Sequence, residues 1–135
     1  MTLKIAFATD DGKNFIDRHF GDAKFYEIYK ISDSEIELIS RIENTSPEEK
    51  KHADENKANK IVEILKRQNV KVVVSKVFGP NLYRIKKKFV CVIVDDEKIE
   101  NVANTIQTKI NLLNAEWEKG EERTYINFRK LKSES

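Results

Sequence analysis

Two short, nearly unbroken apolar runs constrain the fold more than any other feature of the chain: Val70-Lys71-Val72-Val73-Val74 and Phe89-Val90-Cys91-Val92-Ile93-Val94. A strand with apolar residues at successive positions has no face to offer water. Such runs suit central parallel strands covered on both sides. Between them Gly79-Pro80-Asn81 predicts the start of a short helix extending to about Lys87, since proline suits a first helical turn. Strand, crossover helix and parallel strand is the unit of an α/β fold.

The rest of the chain fits around that unit. Leu3, Ile5 and Phe7 alternate with smaller or polar neighbours and predict a first strand over residues 3–9. A long polar loop from Asp10 to Asp22 follows. Phe25 to Ile31, rich in aromatic and β-branched residues, predicts a second strand. Ser32-Asp33-Ser34-Glu35 supplies turn chemistry. Ile36, Leu38 and Ile42 then share one parity, which predicts a half-buried third strand in a hairpin with the second. Asn44 to Asn56 reads as a surface loop, and Ala58, Ile61, Val62 and Leu65 mark one face of a helix. Ile99, Val102, Ala103, Ile106, Ile110, Leu113 and Trp117 form one stripe of a long last helix, which Gly120 is expected to end. The expected organisation is a single α/β domain over residues 1–120, with a tail over 121–135 that forms an edge strand or contacts a partner.

Composition limits the function classes. Lys and Arg number 25 against 23 Asp and Glu, a net charge of +2, which gives no support for nucleic acid as the main partner. No apolar run reaches transmembrane length, and the start of the chain lacks the cationic and apolar regions of a signal peptide. The single cysteine, Cys91, sits within an apolar run and reads as core packing. It can form neither an internal disulfide nor a cysteine-rich metal site. A soluble protein of the reducing cytoplasm is the expectation, with no membrane association.

Strand direction locates a site. If strands one, three, four and five run parallel and strand two opposes them, four loops leave one sheet edge: Asp10–Asp22, Asn44–Asn56, Ser75–Asn81 and the Asp95-Asp96 turn. Ligands of open α/β sheets bind along such an edge. His19, His52 and Gly79-Pro80-Asn81 all lie in those loops. Imidazole is a good transition-metal ligand, so His19 and His52 are the candidate metal ligands. Backbone N–H groups at the Gly79-Pro80-Asn81 helix start would favour an anion.

Several of these residues carry a family resemblance. The element His19-Phe20-Gly21, the opening Lys4-Ile5-Ala6-Phe7-Ala8 and the element Phe78-Gly79-Pro80-Asn81 resemble the dinitrogenase iron–molybdenum cofactor biosynthesis domain family over roughly residues 3–115. The resemblance implies a ribonuclease H-like α/β fold with a five-stranded mixed sheet, strand two antiparallel, and helices on both faces. It implies a non-enzymatic carrier that transiently binds an iron–sulfur cluster or an iron–molybdenum cofactor precursor. Its partners would be that metallocluster or an anionic small ligand, and a protein of cluster assembly; the chain would be a monomer or weak homodimer. Carried over by position, the cofactor-binding residues are His19, Phe20, Gly21, Gly79, Pro80 and Asn81, with His52 assisting. The family's His-Gly-small-Gly element stands here as His52-Ala53-Asp54-Glu55, without its glycines, and no cysteine lies in a candidate loop.

Two other functions are open on the residues alone. A divalent-metal nuclease would need acids that converge, drawn from Asp10, Asp11, Asp22, Asp95 and Asp96. A ligand-free adaptor would engage a protein partner through the tail and the final helix, whose Trp117 otherwise reads as packing, internal or at a dimer contact. Arg84, Lys86, Lys87 and Lys88 read as a solvated cationic face that can guide an anionic ligand or partner.

Overall fold

The computed structural model describes residues 1–44 and 54–129. Among these described residues six strands form one mixed sheet in the order β3-β2-β1-β4-β5-β6. They are β1 (Thr2–Thr9), β2 (Phe25–Ser32), β3 (Ile36–Glu43), β4 (Val72–Ser75), β5 (Val90–Ile93) and β6 (Ile126–Asn127). The helices are α1 (Asp54–Arg67), α2 (Leu82–Ile85), α3 (Ile99–Thr108) and α4 (Ile110–Trp117). β2 runs antiparallel to β1 and β3, while β1, β4, β5 and β6 pair in parallel. The sheet therefore has one strand more than the expected five. The sixth comes from the tail, whose Ile126 and Asn127 pair with Val92 and Ile93.

The two apolar runs occupy the centre of the sheet, and each divides its side chains between two cores. Val72, Val74, Val90 and Val92 pack with Leu3, Ile5 and Phe7 beneath α3 and α4. Val73 and Cys91 face the other way, packing with Ala6, Tyr26, Ile61 and Leu65 of α1, and Ile85 of α2. Helices thus cover both faces, as apolar runs without alternation require.

Three local expectations change. Ile36, Leu38 and Ile42 do not share a face, because the β2–β3 register shifts between Ile28 and Tyr29. The bulge on β3 adds a residue between Leu38, opposite Tyr29, and Ser40, opposite Ile28, so parity inverts beyond it. Ile36 consequently packs on the α3/α4 side and Ile42 on the α1 side, while Leu38 is half exposed. The long last helix is two helices, broken at Lys109 (φ −115°, ψ 24°). There the Thr105 and Thr108 hydroxyls donate to the Asn101 and Thr105 carbonyls, a competition that bends helices. The helix also stops at Trp117, and Gly120, at φ +62°, opens a separate 3-10 turn. Finally, the helix expected from Gly79 to about Lys87 is a 3-10 turn over Gly79–Asn81 followed by the single turn of α2. No helix among the described residues is long and apolar enough to cross a membrane.

The hairpin turn follows its sequence. The Ser32 amide donates to the Glu35 carbonyl at 2.9 Å, and the Ser32 hydroxyl accepts from the Glu35 amide at 3.0 Å. Because β2 alone opposes the other strands, the loops after β1, β3, β4 and β5 leave the same sheet edge.

Candidate functional site

The long loop after β1 is ordered by its own acids. The Asp11 carboxylate accepts the amides of Lys13 and Asn14, both at 2.8 Å, and the Asn14 side-chain amide at 2.9 Å. These donors hold the Asp11 pKa well below the usual carboxylate range. Asp10 takes both guanidinium nitrogens of Arg18 and the Lys24 amide, and the Arg18 bonds lower its pKa. Lys76, just after β4, bridges Asp17 at 2.8 Å and Glu97 at 2.7 Å, tying this loop to the one after β5. Both carboxylates raise the Lys76 pKa by stabilising its charged form.

The loop thus delivers His19 to the loop after β4. His19 and Val77 form a parallel bridge, with the Phe20 amide donating to the Val77 carbonyl at 2.8 Å. Phe20 is buried and stacks on Phe78 at 5.3 Å between ring centroids. Tyr26, fully buried, donates its hydroxyl to the Phe20 carbonyl at 2.8 Å, and burial raises its pKa. The backbone of His19 is fixed from below while its imidazole stays exposed.

That imidazole lies flat against Gly79. A Cβ at position 79 would sit 2.6 Å from His19 Cε1 and Nδ1 and 2.8 Å from Cγ. The backbone there has φ +72°, a conformation glycine adopts without penalty. Glycine is therefore required at position 79 twice over, by conformation and by the ring. Gly21 is held through its carbonyl, which accepts from the Asn44 side-chain amide at 3.0 Å. Pro80 is exposed and Asn81 partly buried in the following turn. Seven backbone residues of short helix give little macrodipole, so the helix-start argument for anion binding weakens. The structure thus brings His19, Phe20 and Gly21 together with Gly79 and its turn. His52 lies outside the described residues.

Sequence reading missed Val77 and Lys76, gave Phe78 no role of its own although all three fix the loop, and missed Ser75, whose buried hydroxyl has no hydrogen-bond partner among the described residues. A lone lysine directly after a buried strand was the available signal for the clamp.

The donor chemistry limits what these loops could hold. Iron in clusters takes thiolate or imidazole. Cys91 is buried in mid-strand, where burial pushes its thiol up to about 12, so it supplies no thiolate. Among the described residues no group of three or more His, Cys, Asp and Glu side chains could hold a metal ion. The nuclease arrangement is therefore not assembled: Asp10 is occupied by Arg18, Asp11 accepts amides of its own loop, and Asp96 accepts the Lys98 amide and the Asn101 side-chain amide. Among the described residues these loops offer one exposed imidazole, that of His19.

Residues 1–110 match the family model described as dinitrogenase iron-molybdenum cofactor. The chain belongs to that family. The fold also resembles the 1.70 Å crystal structure of a Methanocaldococcus jannaschii protein provisionally described as a dinitrogenase. The two are 22% identical, with a TM-score of 0.58, over 80% of this chain and 90% of that one. At that identity the likeness carries the fold alone. No curated protein sequence matches.

Proposed function

We propose that this family member is a non-enzymatic carrier in metallocofactor assembly, working in the cytoplasm on a ribonuclease H-like sheet extended by one edge strand. It holds an iron–sulfur cluster or an iron–molybdenum cofactor precursor transiently at the carboxyl edge of the sheet. The observation that carries this reading is the exposed His19 imidazole, held against Gly79 above a fixed backbone. A coordinating side chain that is exposed and oriented suits cargo that must leave again. His19 supplies the coordinating nitrogen, Phe20 and Gly21 hold the turn that carries it, and Gly79, at the head of the Pro80-Asn81 turn, lies against the ring. His52 is a second candidate ligand. The protein partner is the donor or acceptor of the same cargo, met by a monomer or weak homodimer.

Anaerobic incubation with ferrous iron and sulfide, followed by gel filtration and absorption spectroscopy, tests the assignment. The wild-type chain should retain a brown chromophore that His19→Ala loses and His52→Ala weakens. A colourless wild-type chain, or His19→Ala retaining as much iron, would refute it.

A further inference from the structure

From Ile64 to Val94 the chain contains eight Lys or Arg residues and no Asp or Glu. The remainder therefore holds 17 cations against all 23 acids. The fold gathers part of this excess at the amino-terminal edge of the sheet, opposite His19. α1 ends with Lys66 and Arg67 before the turn into β4, and the turn of Lys86, Lys87 and Lys88 leads into β5. β4 and β5 are parallel neighbours, with Val72 opposite Val90, and the Val90 amide donates to the Lys71 carbonyl at 2.9 Å. α1 and α2 pack on the same face, through Ile61, Leu65 and Ile85. The two cationic turns are thus side by side. Lys66, Arg67, Lys87 and Lys88 are exposed, and Lys71 is half-buried beside them, over the Trp117 ring.

We infer that this edge is a docking surface for an acidic segment of a partner protein. Four exposed cations on adjoining turns create a local positive potential that the net charge of +2 conceals. The surroundings favour a compact acidic patch over a long polyanion. Lys86 and Arg123 exchange hydrogen bonds with each other's backbone, which brings the segment of Glu118, Glu121 and Glu122 alongside the cationic turn. Exposed Glu63 borders the other side, one helical turn before Arg67. A nucleic acid strand running past the turns would meet these carboxylates; an acidic peptide the size of the patch would not. The turns are also fixed before any partner arrives. Asn69 adopts φ +66°, and Lys4 Nζ donates to the Gln68 carbonyl at 2.9 Å.

The test uses the full chain and a fluorescein-labelled peptide of alternating Glu and Gly, read by fluorescence anisotropy at low and physiological salt. A single-stranded RNA of equal charge is the competitor. The triple variant Arg67→Glu, Lys87→Glu, Lys88→Glu should bind the peptide about tenfold more weakly, at a few-fold for each exposed pair. The control variant Lys13→Glu, Lys30→Glu, Lys98→Glu has the same net charge and should stay within about twofold of wild type. Circular dichroism melts check that both variants fold, and replacing the same three patch cations by Gln should give an intermediate loss. Equal weakening in the control would overturn the inference, as would tighter binding of the RNA or no binding to the wild-type chain. Sedimentation at low salt reads the remaining occupant: self-association lost in the patch variant would assign the surface to a second copy and refute the acidic partner.

Discussion

Replacing Gly79 by alanine imposes two separable penalties. The first is conformational: at φ +72° an L-residue with a Cβ is disfavoured by about 1 kcal/mol. The second is steric. The new Cβ would lie 2.6 Å from two atoms of the His19 ring, about 1 Å inside the ordinary carbon contact distance. The ring must turn away or leave its rotamer, at about 0.5 to 1.5 kcal/mol. Gly79→Ala should therefore destabilise the fold by about 2 kcal/mol, lowering Tm by several degrees for a chain this size. His19→Ala alone should cost well under 1 kcal/mol, because the ring is exposed. In the His19→Ala background the steric component vanishes and only the conformational one remains. Urea unfolding of the four proteins closes the cycle, and it should return a coupling of about 1 kcal/mol that favours the double variant. Effects that simply add, within a few tenths of a kcal/mol, would show that the ring does not rest on Gly79 in solution. The orientation assigned to the imidazole would then be wrong.

Two further outcomes follow from the loop acids and the tail. Asp10 and Asp11 have pKa values below those of an unfolded chain, so their stabilisation is complete above about pH 4 to 5 and is lost as pH falls through their native values. Urea midpoints measured from pH 6 down to 2 should fall steeply for wild type and less steeply for Asp11→Asn; parallel curves would remove Asp11 as a cause. Truncation after Gly120 removes Phe128 from the core and leaves buried Glu116 without the Thr124 amide that it accepts at 2.8 Å. It also deletes Arg123, which donates to the Trp117 and Lys87 carbonyls. Counting about 2 kcal/mol for the ring and about 1 for each lost hydrogen bond, the loss should reach at least 3 kcal/mol. An unchanged urea midpoint in the truncated chain would mean that the segment beyond Gly120 is dispensable.

The central strands were legible because burial on both faces leaves no other pattern available to a four-residue strand. The lapses came where periodicity records a face and not a backbone. The stripe from Ile99 to Trp117 stays continuous in sequence because both α3 and α4 press it on the same core, so the break at Lys109 leaves no gap in it. In β3 the bulge inverts parity after Leu38, a backbone event with no residue signature of its own. Of the site, the convergence of loops followed from strand direction alone, whereas the His19–Gly79 contact spans sixty residues and follows from no local rule. The residue pair did contain a hint. A residue before proline avoids the helical region, and glycine there admits the positive φ that brings its Cα against the ring.

A carrier has to meet its partner without covering what it carries, and the sheet offers a geometry for this. His19 belongs to the carboxyl edge and the cationic turns to the amino edge, with β4 running between them from Val72 to Ser75. Four strand residues at about 3.3 Å each separate the two by more than 10 Å. A partner bound at the amino edge would leave the imidazole open to exchange cargo, and any coupling between the edges has a short route. Lys76 directly follows β4, is largely buried, and holds the His19 loop through Asp17. Its replacement by methionine would therefore loosen the His19 loop while leaving the amino edge unchanged. Iron retention should fall and acidic-peptide affinity should hold. Loss of both together would mean that the two edges act as one site.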